Sequence, residues 1–233
     1  AALIVASSLA AAAASDPPVV VELYTSEGCS SCPPADAYLG ELAKQPGVVA
    51  LAFHVDYWDY IGWKDPFAFP AATERQRRYT TTLGSRYLYT PEMVVDGARD
   101  ATGSDRDTIS KLIATQGKIV RKLPLAVSET SEDKYTVSLP ASSFTGGATV
   151  WMMVYDREHS TPVVRGENEG RTLQEFNVVR TLRSIGRYDG KAQDIAVAME
   201  LTREQGCAIL VQADHQAGDG QGPIMGAALV EEK

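Results

Sequence analysis

The chain has 233 residues, 44% of them apolar, and a formal net charge of −8. That composition supports a folded core, and the acidity, with a sequence pI near 5.0, argues against nucleic acid or an anionic membrane surface as partner. Three cysteines in a chain of this length exclude a disulfide-dense scaffold.

Ala1 to Ala14 is almost wholly small and apolar, and Ala12-Ala13-Ala14 stand before Ser15. The run is too short for a membrane span. It has the character of the apolar region of a secretory signal peptide followed by a small-residue cleavage site. Residues 1–14 are therefore expected to be a signal-peptide remnant. The mature protein is expected in a bacterial periplasm or outside the cell, where disulfides form and persist.

Val19 to Tyr24 is a β-branched run that reads as a buried strand. Cys29-Ser30-Ser31-Cys32 follows it. Pro33 and Pro34 suit only the first turn of a helix, and Ala35, Leu39 and Leu42 recur at helical spacing. The cysteine pair thus lies where a strand hands over to a helix N-terminus, whose free N–H groups and dipole favour a thiolate. Strand, CxxC, helix is the thioredoxin arrangement. Cys29 is expected to be the exposed nucleophile and Cys32 the shielded, resolving thiol. Glu27, close to Cys29, opposes thiolate formation. Two other readings of the pair stay open. Two thiolates can hold copper(I), with His54 as a further ligand, and the motif can persist in a non-catalytic binding module. Zinc is disfavoured because there is no second CxxC.

Val48 to Val55 reads as a second strand buried on both faces. Residues 57–73 break periodicity and concentrate aromatics, including Trp58 and Trp63. They serve either as a docking loop or as packing against the rest of the chain. Glu74 to Leu83 reads as a basic helix stopped by Gly84. Thr90-Pro91 leads into a strand and an Asp96-Gly97 turn, and Ser104 with Asp107 suggests a capping box for a third helix. Beyond Leu123 the spacing predicts short alternating strands at 125–130, 135–139, 149–155, 193–201, 207–213 and 224–230, an antiparallel sandwich-like pattern. Cys207 lies within one of them as a core thiol. Gly218 to Gly222 lacks the Lys and Ser/Thr of a phosphate cradle and reads as a hairpin loop. The division expected is a thioredoxin-like α/β domain over 15–121 and a C-terminal β-rich domain over 122–233, with the boundary near Lys122-Leu123-Pro124.

The wording of these motifs goes further. The run Glu22 to Asp36, then His54-Val55-Asp56-Tyr57-Trp58-Asp59, Thr90-Pro91 with Val95-Asp96-Gly97, Gly166 to Leu173 and Asn177-Val178-Val179-Arg180 strongly resembles a secreted bacterial family known as the domain of unknown function number twelve twenty-three. The resemblance spans nearly the whole mature chain. It implies a thioredoxin-like fold and a periplasmic or secreted location, and no settled activity. Against thioredoxin proper, Gly28 replaces the Trp before the first Cys, and Ser30-Ser31 replaces Gly-Pro. The resemblance also implies that Thr90-Pro91 is a cis-proline facing the cysteines, whose backbone pairs with a bound peptide. Glu22 is a candidate proton acceptor for Cys32, or else a strand-end residue facing water. The chemistry expected is thiol–disulfide exchange with a protein or small thiol partner, carried by Cys29, Cys32, Thr90, Pro91 and Glu22 and requiring no organic cofactor.

Overall fold

The computed structural model describes residues 17–119, 123–215 and 221–230. The signal-peptide expectation for 1–14, Lys122 at the expected boundary, and Gly218 to Gly220 of the glycine-rich loop lie outside these residues.

Strands β1 (Val19–Thr25) and β2 (Val48–His54) are parallel neighbours, Val19 facing Val48 and Thr25 facing His54. Every residue of both is buried, which explains their unbroken apolar character. Helix α1 (Pro33–Leu42) connects them, with Cys32 as its N-cap and proline in its first turn. A 3-10 helix (Asp56–Ile61) and helix α2 (Pro70–Leu83) follow. The second helix starts at Pro70 rather than at Glu74, since proline is tolerated at the first helical position. Strand β3 (Glu92–Val95) runs antiparallel to β1, and β4 (Arg99–Thr102) antiparallel to β3. Asp96 and Gly97 turn between them with φ of 49 and 62, the left-handed values that Asp and Gly accept most readily. Helix α3 (Arg106–Gln116) is capped by Asp105, whose side chain accepts from the Thr108 N–H, and not by Ser104.

Strand parity sorts the core. Val19, Val21 and Leu23 of β1 face the same way as Val48, Ala50 and Ala52 of β2 and pack on Leu39 and Leu42 of α1 and Ile109 of α3. Val20, Tyr24, Val49, Leu51 and Phe53 point to the other face, with Ala72 and Tyr79 of α2. Each large apolar side chain so buried contributes about 1.5–3 kcal/mol.

The C-terminal half does not form a sandwich standing apart. β5 (Ala126–Ser131), β6 (Lys134–Leu139) and β9 (Gln193–Ala198) make a small antiparallel sheet, but β7 (Ala148–Pro162), β8 (Thr172–Tyr188), β10 (Gln205–Asp214) and β11 (Gln221–Val230) continue the first one. The order is β11-β10-β7-β8-β2-β1-β3-β4, a single eight-stranded sheet crossing the expected boundary. The physical reason is that β2, buried on both faces, cannot serve as an open edge. β8 closes it: Val178 pairs in parallel with Ala52, and Asn177, at φ 49, donates its Nδ2 to the Ala50 carbonyl at 2.8 Å. Phe176 lies over Gly40 of α1, where a Cβ would meet the ring at 2.4 Å. The result is a mixed α/β fold with one large, mostly antiparallel sheet and few helices. Among the described residues no helix is long and apolar enough to cross a membrane.

Candidate functional site

Cys29 and Cys32 are joined as a disulfide at the start of α1. Both are fully buried, while Ser30 and Ser31 between them are exposed. The expectation of an exposed Cys29 beside a shielded Cys32 therefore does not hold in this state. The reason is local: other parts of the chain cover Cys29. Trp58 and Ile61 lie against Gly28, at 3.2 and 3.3 Å from where its Cβ would be. Asn168, wholly buried, donates Nδ2 to the carbonyls of Glu27 (2.9 Å) and Cys29 (3.0 Å). Glu167 accepts from the Ser30 N–H at 3.1 Å and from its hydroxyl at 2.6 Å.

The aromatic segment lies beside the motif. Trp63 donates its indole N–H to Glu27 at 2.7 Å, and Trp58 donates to the Thr90 hydroxyl at 2.7 Å. Trp58 thus spans from Gly28 to Thr90. The Thr90-Pro91 peptide bond is cis. Pro91 is buried against Gly103, whose Cβ position lies 3.3 Å from Pro91 and 2.9 Å from Ala35 of α1. Thr90 is thus linked to Gly28 through Trp58, and Pro91 to α1 through Gly103.

Glu22 is not part of it. It shares parity with Val20 and Tyr24, on the sheet face opposite α1. There it meets Arg75 at 2.7 Å and accepts from the Tyr79 hydroxyl. It is neither the proton acceptor for Cys32 nor a residue facing water, being fully buried.

The carboxyls on the cysteine face are others. Thr25 and His54 end β1 and β2 with the α1-facing parity. Thr25 donates to Asp36 of α1 at 2.7 Å, and Asp36, one helical turn beyond Cys32, is buried. His54 Nδ1 meets Asp65 at 2.8 Å, and the same Asp65 oxygen accepts the Glu27 N–H at 2.8 Å. Glu175 arrives on β8, also buried. Burial pushes the Asp36 carboxyl up to about 7, partly offset by the Thr25 hydrogen bond, and pushes Glu175 up to about 8 against the pull of His54. Glu27 is raised by burial and by the charge of Asp65. Burial would lower His54, but the Asp65 charge and hydrogen bond carry it up to about 9. Burial would raise Asp65, yet His54 and the amides of Glu27 and Phe67 hold it below the ordinary carboxylate value. The contact with Asp65 thus raises His54 above its ordinary value and occupies its Nδ1. Among the described residues no group of three or more His, Cys, Asp or Glu is arranged to hold a metal ion.

Sequence reasoning missed Asp36, Asp65, Asn168, Glu167 and Glu175 as neighbours of the motif. Strand parity carries part of the missing signal, because it puts Thr25 and His54 beside α1 and Glu22 away from it. Cys207, predicted as a core thiol, is buried and free, and its burial pushes the thiol up to about 12.

Fold and site together define a mixed α/β protein with a CxxC disulfide at a strand-to-helix junction. A family model described as "Protein of unknown function (DUF1223)" matches residues 20–212, and the chain belongs to that family. The chain is also similar to the crystal structure of protein AGR_C_4864 from Agrobacterium tumefaciens, at 29% identity over 95% of this chain and 97% of that one, with a TM-score of 0.82. A search of the curated proteins finds no match.

Proposed function

We propose that this protein is a thiol–disulfide oxidoreductase on a thioredoxin-like scaffold, acting in the periplasm or after secretion. The observation that carries the reading is the closed Cys29–Cys32 pair at the N-terminus of α1, with Pro91 packed near α1 and Thr90 tied to Gly28's neighbour Trp58. The strand order β2-β1-β3-β4, with the first pair parallel and the rest antiparallel, supports the scaffold. The short apolar run before Ser15 supports export.

In the direction that oxidises a partner, a partner thiolate attacks the Cys29 sulfur, and Cys32 leaves as a thiolate that takes up a proton. The partner's second thiolate then attacks its own sulfur in the mixed disulfide and releases Cys29. The partner has lost two electrons and two protons, and the cysteines have gained them. Reduction of a partner is the same path reversed. Thr90 and Pro91 position the partner chain beside the sulfurs. No organic cofactor enters.

The test is turnover of a model protein disulfide such as insulin, with dithiothreitol as reductant, by wild-type protein and by Cys29→Ser and Cys32→Ala variants. The expected outcome is turnover by wild type, none by Cys29→Ser, and a trapped mixed disulfide with Cys32→Ala. A wild-type protein shown to be reduced that nevertheless turns over nothing would sink the reading.

A further inference from the structure

We infer that the loop joining β7 to β8, residues 163–171, is a lid latched shut over the Cys29–Cys32 disulfide, and that an exchange partner must lift it before either sulfur can be attacked. The identity of the partner rests on the function proposed above; the lid itself does not.

The loop is built as a compact flap on a fixed neck. The Val163 N–H donates to the Arg171 carbonyl and the Gly170 N–H to the Val163 carbonyl, both at 2.9 Å. Val163 is buried, which anchors the neck in the hairpin. Beyond the neck the chain turns through Gly166 and Gly170 at φ of 81 and 79, values at which glycine carries no steric penalty. Val164 at the outer bend is 63% exposed, so the flap's outer surface is not packed on anything that would hold it.

The flap is held at its inner surface by two neighbouring side chains. Asn168 reaches into the motif and satisfies two backbone carbonyls, those of Glu27 and Cys29, while its own oxygen accepts from Arg171 at 2.9 Å. Glu167 closes the rim on Ser30. Gly166 lies over Trp63, its Cβ position 3.2 Å from the Trp63 Cβ. Lifting the flap would thus uncover Trp63 and Ile61 next to the disulfide, an aromatic and aliphatic floor suited to an extended polypeptide.

The latch also bears on the sulfur chemistry. Glu167 places a carboxylate on the Ser30 N–H, directly after Cys29. An anion at the helix start opposes a second anion on the adjacent sulfur. A closed lid therefore blocks approach to the disulfide and disfavours the Cys29 thiolate, and an open lid does neither. The acidic sequence Glu167-Asn168-Glu169 acts here as an internal occupant of the place a partner would take.

The experiment measures reduction of the Cys29–Cys32 disulfide by dithiothreitol in wild type, Asn168→Ala and Glu167→Ala. One dithiothreitol thiolate bonds to a cysteine sulfur, the other cysteine leaves, and the second dithiothreitol thiol closes its own ring, so the reductant is oxidised and both cysteines end as thiols. We expect reduction at least about tenfold faster in Asn168→Ala, which loses both hydrogen bonds to the motif, and a few-fold faster in Glu167→Ala. The surface position of Glu167 keeps the test valid if Asn168→Ala fails to fold. Glu167→Ala should also lower the Cys29 thiol pKa, read from the pH dependence of iodoacetamide labelling. Unchanged reduction and labelling in folded Glu167→Ala would overturn the lid, whatever the insulin assay gives. Faster reduction with no insulin turnover in any form would uphold the lid and overturn the exchange reading.

Discussion

On the α2 face of β1, Glu22 meets Arg75 and accepts from Tyr79, and Gln212 of β10 donates to the Tyr79 hydroxyl at 2.8 Å. The Arg75 guanidinium also lies over the rings of Phe53, Tyr79 and Trp151. On the α1 face, Glu27, Asp36, Asp65 and Glu175 gather around one imidazole, His54, with no Arg or Lys among their hydrogen-bond partners. The first cluster pairs Glu22 directly with a cation, and its second buried carboxyl, Glu92, accepts from Gln76 at 2.6 Å and is pushed up to about 7 by burial. The second holds more acid than base, and its excess carboxyls are pushed toward neutral pH. A carboxylate in direct contact with a guanidinium is held in place by its partner. Both faces thus carry a carboxyl raised by burial, and what sets the α1 face apart is its place beside the only disulfide among the described residues.

The largest expected effect breaks the ion pair on the α2 face. Arg75→Ala leaves Glu22 buried and unpaired, and should cost about 3–5 kcal/mol in urea unfolding. Dithiothreitol reduction of the disulfide should be unchanged in the folded variant. A loss under about 1 kcal/mol, well short of the cost of an uncompensated buried charge, would mean that the cluster does not fix the α2 packing.

The second effect belongs mainly to the α1 face and appears with pH. His54 is raised to about 9, so its charged-state stabilisation is complete below its ordinary value and lost as pH rises through 9. Asp36 and Glu175, raised to about 7 and 8, favour the neutral form when folded. Their contribution is complete below the ordinary carboxyl range and declines as pH climbs through those values. All three terms have one sign, as has that of Glu92, pushed up to about 7, and stability should fall by several kcal/mol between pH 5 and pH 9.5. Thermal melting across that range checks it, and a flat or rising profile would contradict the assignment.

The smallest effect isolates one carboxyl. Asp36→Asn keeps the shape and the Thr25 contact, because a hydroxyl accepts as well as donates. Relative to pH 5, it should raise stability at pH 8.5 by about 3 kcal/mol, the equivalent of about two pK units. Equal shifts at both pH values would point to packing rather than charge.

Much of this was legible in the sequence where pattern and local chemistry agree. The buried strands β1 and β2, the CxxC before α1 and the buried Cys207 follow from apolar runs and turn residues, and the cis Thr90-Pro91 bond from the family resemblance. β8 was not legible. Thr172–Tyr188 is 17 residues long, carries Arg180, Arg183 and Arg187, and is bulged against β7, so it shows neither clean alternation nor an apolar run. Because β8 was missed, the join between the two halves was missed with it, and so were Glu175 and the 163–171 flap. Glu22 was misread because a carboxylate near a motif in sequence lay on the opposite face in space. Asn168 carries no local signal: its partners are the carbonyls of Glu27 and Cys29, remote in sequence.

The bond between Asn177 and Ala50 spans 127 residues of sequence. Until the C-terminal part of the chain is present, β2 has a bare edge and α1 lacks the Phe176 ring that packs on Gly40. A nascent chain that had folded only its first half would expose a strand able to pair with any other. Contacts of such separation slow folding, and the interval in which the edge is open is the interval in which the chain is vulnerable to misassembly. β2, the second strand made, thus waits for the eighth before its edge is closed.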